Sequence, residues 1–178
     1  MINEAQKDYF DNNITWIHDK AENLSLDKKY SLIVAGDSIH WMDWETIFPK
    51  FKRILSKEGY LVLVTRQEKT DWDALLLELI KRYSLIKNFK SIDLPNLLQI
   101  NHYWKIIDEF SAKPIKYEIN LEDYIQSFHS RTSLAINDMD KKERVKFDEG
   151  IREISLPFSK NKNITLSSIS KMTWGIPL

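Results

Sequence analysis

Two stretches decide how this chain folds. The first is Tyr30-Ser-Leu-Ile-Val-Ala35, closed by Gly36, and the second is Tyr60-Leu-Val-Leu-Val-Thr65. Each is a short, almost continuous apolar run rich in β-branched residues, which is the pattern of a strand covered on both faces. Between them, apolar residues fall at Trp44, Ile47, Phe48, Phe51, Ile54 and Leu55, marking one face of a helix. Pro49 must sit near the start of that helix or kink it, and Gly59 is placed to end it in a left-handed cap. Strands joined through a helical crossover predict a parallel α/β sheet.

Outward from this centre the signals weaken. Ile14-Thr-Trp-Ile17 follows the turn cluster Asp11-Asn12-Asn13 and reads as a further strand. Beyond Arg66, Trp72, Leu75, Leu76, Leu79, Ile80 and Tyr83 share a helical face that Thr70 or Asp71 can cap. Residues 93–110 are apolar-rich, with aromatics Tyr103, Trp104 and Phe110, fit no single template well and read as helical. Ile115–Ile119 alternates as a strand, Leu121, Tyr124, Ile125 and Phe128 mark a helix, and a charged helix spans 140–154. A last strand lies within 164–174. With no repeat or low-complexity linker, 178 residues predict one domain.

Composition excludes several function classes. Lys+Arg and Asp+Glu are both 26, so formal charge is zero and phosphate-neutralising contact with nucleic acid has no global support. The absence of cysteine removes disulfides, thiolate metal sites and cysteine nucleophiles. No apolar run approaches the ~18 residues of a membrane span, and the N-terminus does not read as a secretory signal. A cytoplasmic protein with no nucleic-acid or membrane partner is the expectation. His18, His40, His102 and His129 show no paired spacing for a metal.

Four segments resemble, in order, the class I S-adenosylmethionine-dependent methyltransferases of the type 11 small-molecule kind. Lys20-Ala-Glu-Asn-Leu24 is similar to that family's "D-A-E-x-L-P" turn. Tyr30-Ser-Leu-Ile-Val-Ala-Gly-Asp-Ser-Ile-His-Trp41 resembles "F-D-L-V-x-x-x-x-A-x-H-W". Phe51-Lys-Arg-Ile-Leu-Ser-Lys-Glu-Gly-Tyr-Leu-Val-Leu-Val64 resembles "x-x-R-V-L-K-P-G-G-x-L-x-L-V", and Thr173-Trp174 fits the closing strand. The resemblance implies a Rossmann-like sheet in the order 3-2-1-4-5-7-6, with residues 14–17 as strand 3 and 30–35 as strand 4. It divides the chain into a cofactor-binding core over 1–66, variable substrate-side helices over 67–160 and a closing strand over 161–178.

The same resemblance exposes what the sequence lacks. The glycine-rich loop (G-x-G-x-G) is absent, since the only glycines are at 36, 59, 150 and 175, and so is the acidic residue that takes the ribose hydroxyls. Met1–Ala5 looks like the helix after the family's second strand. The expectation is therefore a sheet incomplete at the N-terminus, short of two strand–helix units, roughly 60 residues at about 30 per unit. Strand 4 would then present a bare apolar edge, open to a complementing N-terminal half or to self-association. Lys20 stands where the family has an aspartate against the adenine amine.

By resemblance the cofactor is S-adenosyl-L-methionine, the acceptor is a small molecule, and Lys20, Ala21, Glu22, Gly36 and Asp37 lie on the cofactor side. His40 and Trp41 would line the acceptor pocket, with His40 as candidate catalytic base. Each has a plain structural alternative. Ala21–Glu22 also read as a helix start, Asp37 as a turn cap, and His40–Trp41 as a packed pair. Trp72, Tyr103, Trp104, Tyr124 and Phe128 could wall a substrate or fill a core. The rival to a cofactor-impaired methyltransferase is an inactive, methyltransferase-like interaction module that pairs with another chain.

Overall fold

The computed structural model describes residues 6–7, 13–86, 93–135 and 137–178. In chain order these form β1 (Tyr30–Gly36), α1 (Trp44–Ile54), β2 (Leu55–Lys69), α2 (Asp73–Tyr83), α3 (Leu94–Ile100), β3 (Trp104–Ser111), β4 (Ile115–Asn120), α4 (Leu121–Ser127), α5 (Lys141–Ser155) and β5 (Asn163–Pro177). The strands make one sheet in the order β1-β2-β5-β3, with β4 also paired to β5. That order reproduces the 4-5-7-6 half of the expected series, with β1 as an end strand. β4 runs antiparallel to β5, from Ile115 opposite Ser168 to Asn120 opposite Asn163, so the sheet is not the all-parallel one that the strand–helix–strand centre predicts.

Contacts group the chain into two units, Met1–Leu63 with Leu94–Asp108 and Thr173–Leu178, and Val64–Asp93 with Glu109–Met172. β2, β3 and β5 each have one end in either unit.

In the first unit α1 buries Ile47, Phe48, Phe51 and Ile54 against Ala35 of β1, Leu55, Leu61 and Leu63 of β2, Leu98 of α3 and Trp104 of β3. Fully burying one such side chain contributes about 1.5–3 kcal/mol, so this cluster dominates the unit's stability. Strand periodicity sets which residues take part. Ile33, Ala35, Leu61, Leu63, Trp104 and Ile106 belong to this cluster, while the alternate residues Leu32, Val34, Tyr60 and Ile107 are exposed.

In the second unit α4 and α5 enclose Leu121, Tyr124, Ile125, Phe147 and Ile151 together with Trp72, Phe128, Leu134, Ile164 and Leu166. Asn120 caps α4 by accepting from the Glu122 N–H, and Asp140 caps α5 by accepting from Lys142 and Glu143 N–H. Arg152 clamps Glu122 through two bonds of 3.1 and 2.7 Å, joining α5 to α4. His129 is held between the Leu134 carbonyl and the Asp148 carboxylate, 2.8 Å away.

Several sequence expectations are corrected. Residues 14–17 form no strand, and Ile14 and Ile17 are exposed; an extended segment with no neighbouring ladder has nothing to satisfy its backbone groups except water. Residues 93–110 are not one helix. α3 ends at Ile100, His102 takes the left-handed turn at φ 59°, the Tyr103 N–H returns to the Leu98 carbonyl, and the chain leaves as β3. Gly59 does not cap α1, which passes at Leu55 directly into β2. It sits within β2, where a Cβ would stand 2.9 Å from the Tyr30 carbonyl oxygen. Neither Thr70 nor Asp71 caps α2; instead the Asp73 carboxylate accepts from the Thr70 N–H and hydroxyl. The candidate aromatic wall is core in both units, Tyr103 and Trp104 in one and Trp72, Tyr124 and Phe128 in the other. The helix expected over residues 1–5 lies outside the described residues.

Two glycines separate packing from open space. At Gly175 a Cβ would lie 2.1 Å from the Lys105 carbonyl oxygen and 2.7 Å from Trp104 Nε1, whereas at Gly36 it would meet nothing. Gly175→Ala is expected to lower the stability of the fold by about 1–3 kcal/mol in urea unfolding, and Gly36→Ala to leave it within about 0.5 kcal/mol. In the second unit, burial pushes the Tyr124 phenol up to about 12 from its ordinary 10.0. The unfolded chain therefore ionises first, and the Tyr124 contribution, complete below pH 10, is lost as pH rises towards 12. Tyr124→Phe should flatten that part of the alkaline decline in urea midpoint.

Candidate site at the Lys20–Asn23 turn

The site is built from a loop and a helix start, both within the first unit. The loop closes on itself: Asn23 and Leu24 N–H donate to the Lys20 and Ala21 carbonyls at 3.0 and 3.3 Å. The Asp19 carboxylate tightens it, accepting from the Lys20 N–H at 2.7 Å and the Asn23 amide at 2.9 Å. The Asn23 amide, then the Lys20 N–H, hold the Asp19 carboxyl below its ordinary range.

Helix α1 fixes this loop from the other side. Lys50, in the second turn of the helix, donates its ammonium to the Ala21 carbonyl at 3.3 Å and the Glu22 carbonyl at 2.6 Å. Asp43 is the N-cap, its carboxylate accepting from the Glu45 N–H at 3.2 Å and the Thr46 hydroxyl at 2.5 Å. The Asp43 N–H in turn donates to the Glu22 carboxylate at 2.8 Å. That bond, with one from its own N–H, keeps the Glu22 carboxyl below its ordinary range. The helix start thus carries an anion from the loop, as the positive end of the helix dipole favours.

Between β1 and α1 the chain makes one turn of 3-10 helix, Ile39–Trp41, with Ile39 buried and the Trp44 indole donating to the Ile39 carbonyl at 2.9 Å. This turn faces the loop across an open cavity of about 550 Å³, lined by Lys20, Ala21, Glu22, Asn23, Ser38, Trp41, Met42 and Asp43. Trp41 is 68% exposed, so its indole face is available to a ligand.

Four of the seven residues singled out from sequence, Lys20, Ala21, Glu22 and Trp41, meet around this cavity. His40 does not line it, but its ring packs on Trp41 with centroids 5.0 Å apart. Gly36 and Asp37 lie exposed at the end of β1, away from the lining, and Asp37 rather than Gly36 adopts the left-handed backbone, at φ 43°. Asn23, Ser38, Met42, Asp43 and the supporting Lys50 were not foreseen. Asp43 carries a readable signal, an acidic residue immediately before an apolar helical face. Lys50 carries none, since its partners are 28 and 29 residues away.

Residues 1–63 match the family described as "Methyltransferase domain". The match covers about a third of the chain. That segment contains β1, α1, most of β2 and the whole cavity lining. The chain is similar in fold to a protein from Anaeromyxobacter dehalogenans provisionally described as a type II methyltransferase, at 11% identity and a TM-score of 0.59, over 94% of this chain and 72% of that one. It is similar also to a provisionally described methyltransferase from Bacillus halodurans, at 14% identity and a TM-score of 0.53, over 98% and 77%. The YcgJ protein of Bacillus subtilis matches at 14% identity and a TM-score of 0.50, over 98% and 75%. No curated protein matches. The fold is the Rossmann-like methyltransferase fold.

The bridging role of Lys50 is testable apart from any ligand. Lys50→Met should raise amide hydrogen exchange across residues 20–24 while α1 stays protected. Asp43→Ala should cost about 1 kcal/mol in urea unfolding through the lost N-cap.

Proposed function

We propose that this chain serves S-adenosylmethionine-dependent methyl transfer to a small-molecule acceptor, and that alone it holds the cofactor weakly, by its adenine end, in the cavity beside Lys20–Asn23. The observation that carries this reading is the convergence of two family-like segments, Lys20–Asn23 and Ser38–Asp43, on one cavity. The exposed Trp41 indole, with Met42 and Ala21, offers an apolar face to a flat aromatic ring. Stacking of a base on such a side chain contributes about 1–3 kcal/mol.

The fit extends to the adenine and stops there. The ribose and methionine ends need anchoring groups, and neither the glycine-rich loop nor the ribose-binding acid is in this sequence. Lys20 has only donors, so it cannot accept from the adenine amine as an aspartate would. The Asp19 carboxylate next to it is already engaged by the Lys20 N–H and Asn23. Losing two or three charge-assisted hydrogen bonds, at about 1.5–3 kcal/mol each, weakens binding by on the order of 10³-fold or more. When bound, the cofactor supplies the electrophilic methyl group. This chain's part is to orient the ring against Trp41, and His40, packed on that indole, is assigned to orient or deprotonate the acceptor.

Calorimetric titration of S-adenosylmethionine into the purified chain, with amide NMR shifts as the second readout, tests both parts. The expected result is a dissociation constant far above the micromolar range, with shifts confined to residues 20–23 and 38–43 and lost in Trp41→Ala. Micromolar binding would overturn the impairment, and unperturbed amides at millimolar ligand would overturn the cofactor assignment.

A further inference from the structure

We infer that β1 is a self-complementary edge through which two copies of this chain pair antiparallel about Ile33, joining their sheets into one. β1 ends the strand order, hydrogen-bonded among the described residues to β2 alone. Its outward residues Leu32 and Val34 are 53% and 56% exposed, although it is the most apolar strand of the sheet by composition. An unpaired strand of this kind is a template for another strand, and side chains opposite one another in an antiparallel pair share a face.

The sequence of this edge favours a copy of itself. Pairing about Ile33 sets Leu32 opposite Val34 and Tyr30 opposite Gly36 of the other copy, and Ser31 opposite Ala35. Just beyond the strand ends it brings Lys29 of each copy near Asp37 of the other, two opposite-charge contacts related by the two-fold axis that form when each Lys29 ammonium leaves the Arg53 carbonyl for the other copy's carboxylate. A shift by one residue would break both contacts and set outward apolar residues against inward ones. Lys29 does not guard the edge in the way lysines on edge strands usually do. Its ammonium turns back to the Arg53 carbonyl at 2.5 Å, at the end of α1. Asp37 makes no ion pair among the described residues. Zero formal charge leaves no long-range repulsion between copies.

Sedimentation velocity on the full chain across the micromolar range is the test, with near-ultraviolet circular dichroism to show that each variant folds. The wild type should dimerise with concentration, and Val34→Lys should remain monomeric. Asp37→Lys should weaken the dimer about tenfold, two exposed charge contacts being reversed at once. Mixing Asp37→Lys with Lys29→Glu should restore association as a heterodimer, since every cross-contact is then attractive. If Lys29→Glu does not fold, a wild-type dimer that weakens with salt more steeply than Asp37→Lys supports the same contact. A monomer at every concentration overturns the proposal, as do amides 31–35 protected from exchange in a monomer, which would mean that the chain covers its own edge. A dimer indifferent to Val34→Lys or to the charge variants places the interface elsewhere and overturns it too.

Discussion

Burial of one face of α1 is the constraint from which the candidate site follows. Ile47, Phe48, Phe51 and Ile54 leave water only if the helix lies along β1 and β2, because Ala35, Leu61 and Leu63 are the surfaces they meet. Once the helix is seated, its first residue, its N-cap and its second turn have fixed positions in space. Asp43 and Lys50 are then delivered to the Lys20–Asn23 turn, and that turn is held by an ammonium on its carbonyls and a backbone N–H on its acid. The Lys20–Asn23 turn is therefore exposed yet ordered by its support.

The sheet that backs this arrangement is asymmetric. On one side it packs on α1 and α3; on the other Leu32, Val34, Tyr60 and Ile107 meet solvent. A strand with a near-continuous apolar sequence is ordinarily covered on both faces. β1 has the sequence of an inner strand and the position of an outer one.

Tertiary context overruled local pattern wherever a signal was short or shared by two structures. Ile14–Ile17 has strand composition, but a strand exists only as half of a pair. Residues 93–110 are rich in apolar side chains, and the left-handed turn at His102, a residue with no glycine-like signal, divides them into α3 and β3. Gly59 looks like a helix stop from its neighbours, yet it is needed because the Tyr30 backbone passes within a Cβ's reach. Aromatic residues at helical spacing proved to be core in each unit, as burial of their large apolar area favours. Long, periodic elements such as α1 and α5, and the apolar middle of β2, were legible because many residues repeat the same message, while the ends of β2 at 55–59 and 66–69 were not.

The sequence by itself determined the strand–helix–strand centre over residues 30–65, the family likeness of the Lys20, Tyr30 and Phe51 segments, and the lack of a glycine-rich cradle. Those are properties of local periodicity and residue type, which a linear chain records directly. Only the tertiary structure decided that Trp41 and Glu22 face one cavity while Gly36 and Asp37 do not, that Lys50 supports the turn, and that β1 lies at a border with Leu32 and Val34 uncovered. Such facts depend on which distant surfaces exclude water from one another, and that is settled by the packing of the whole chain.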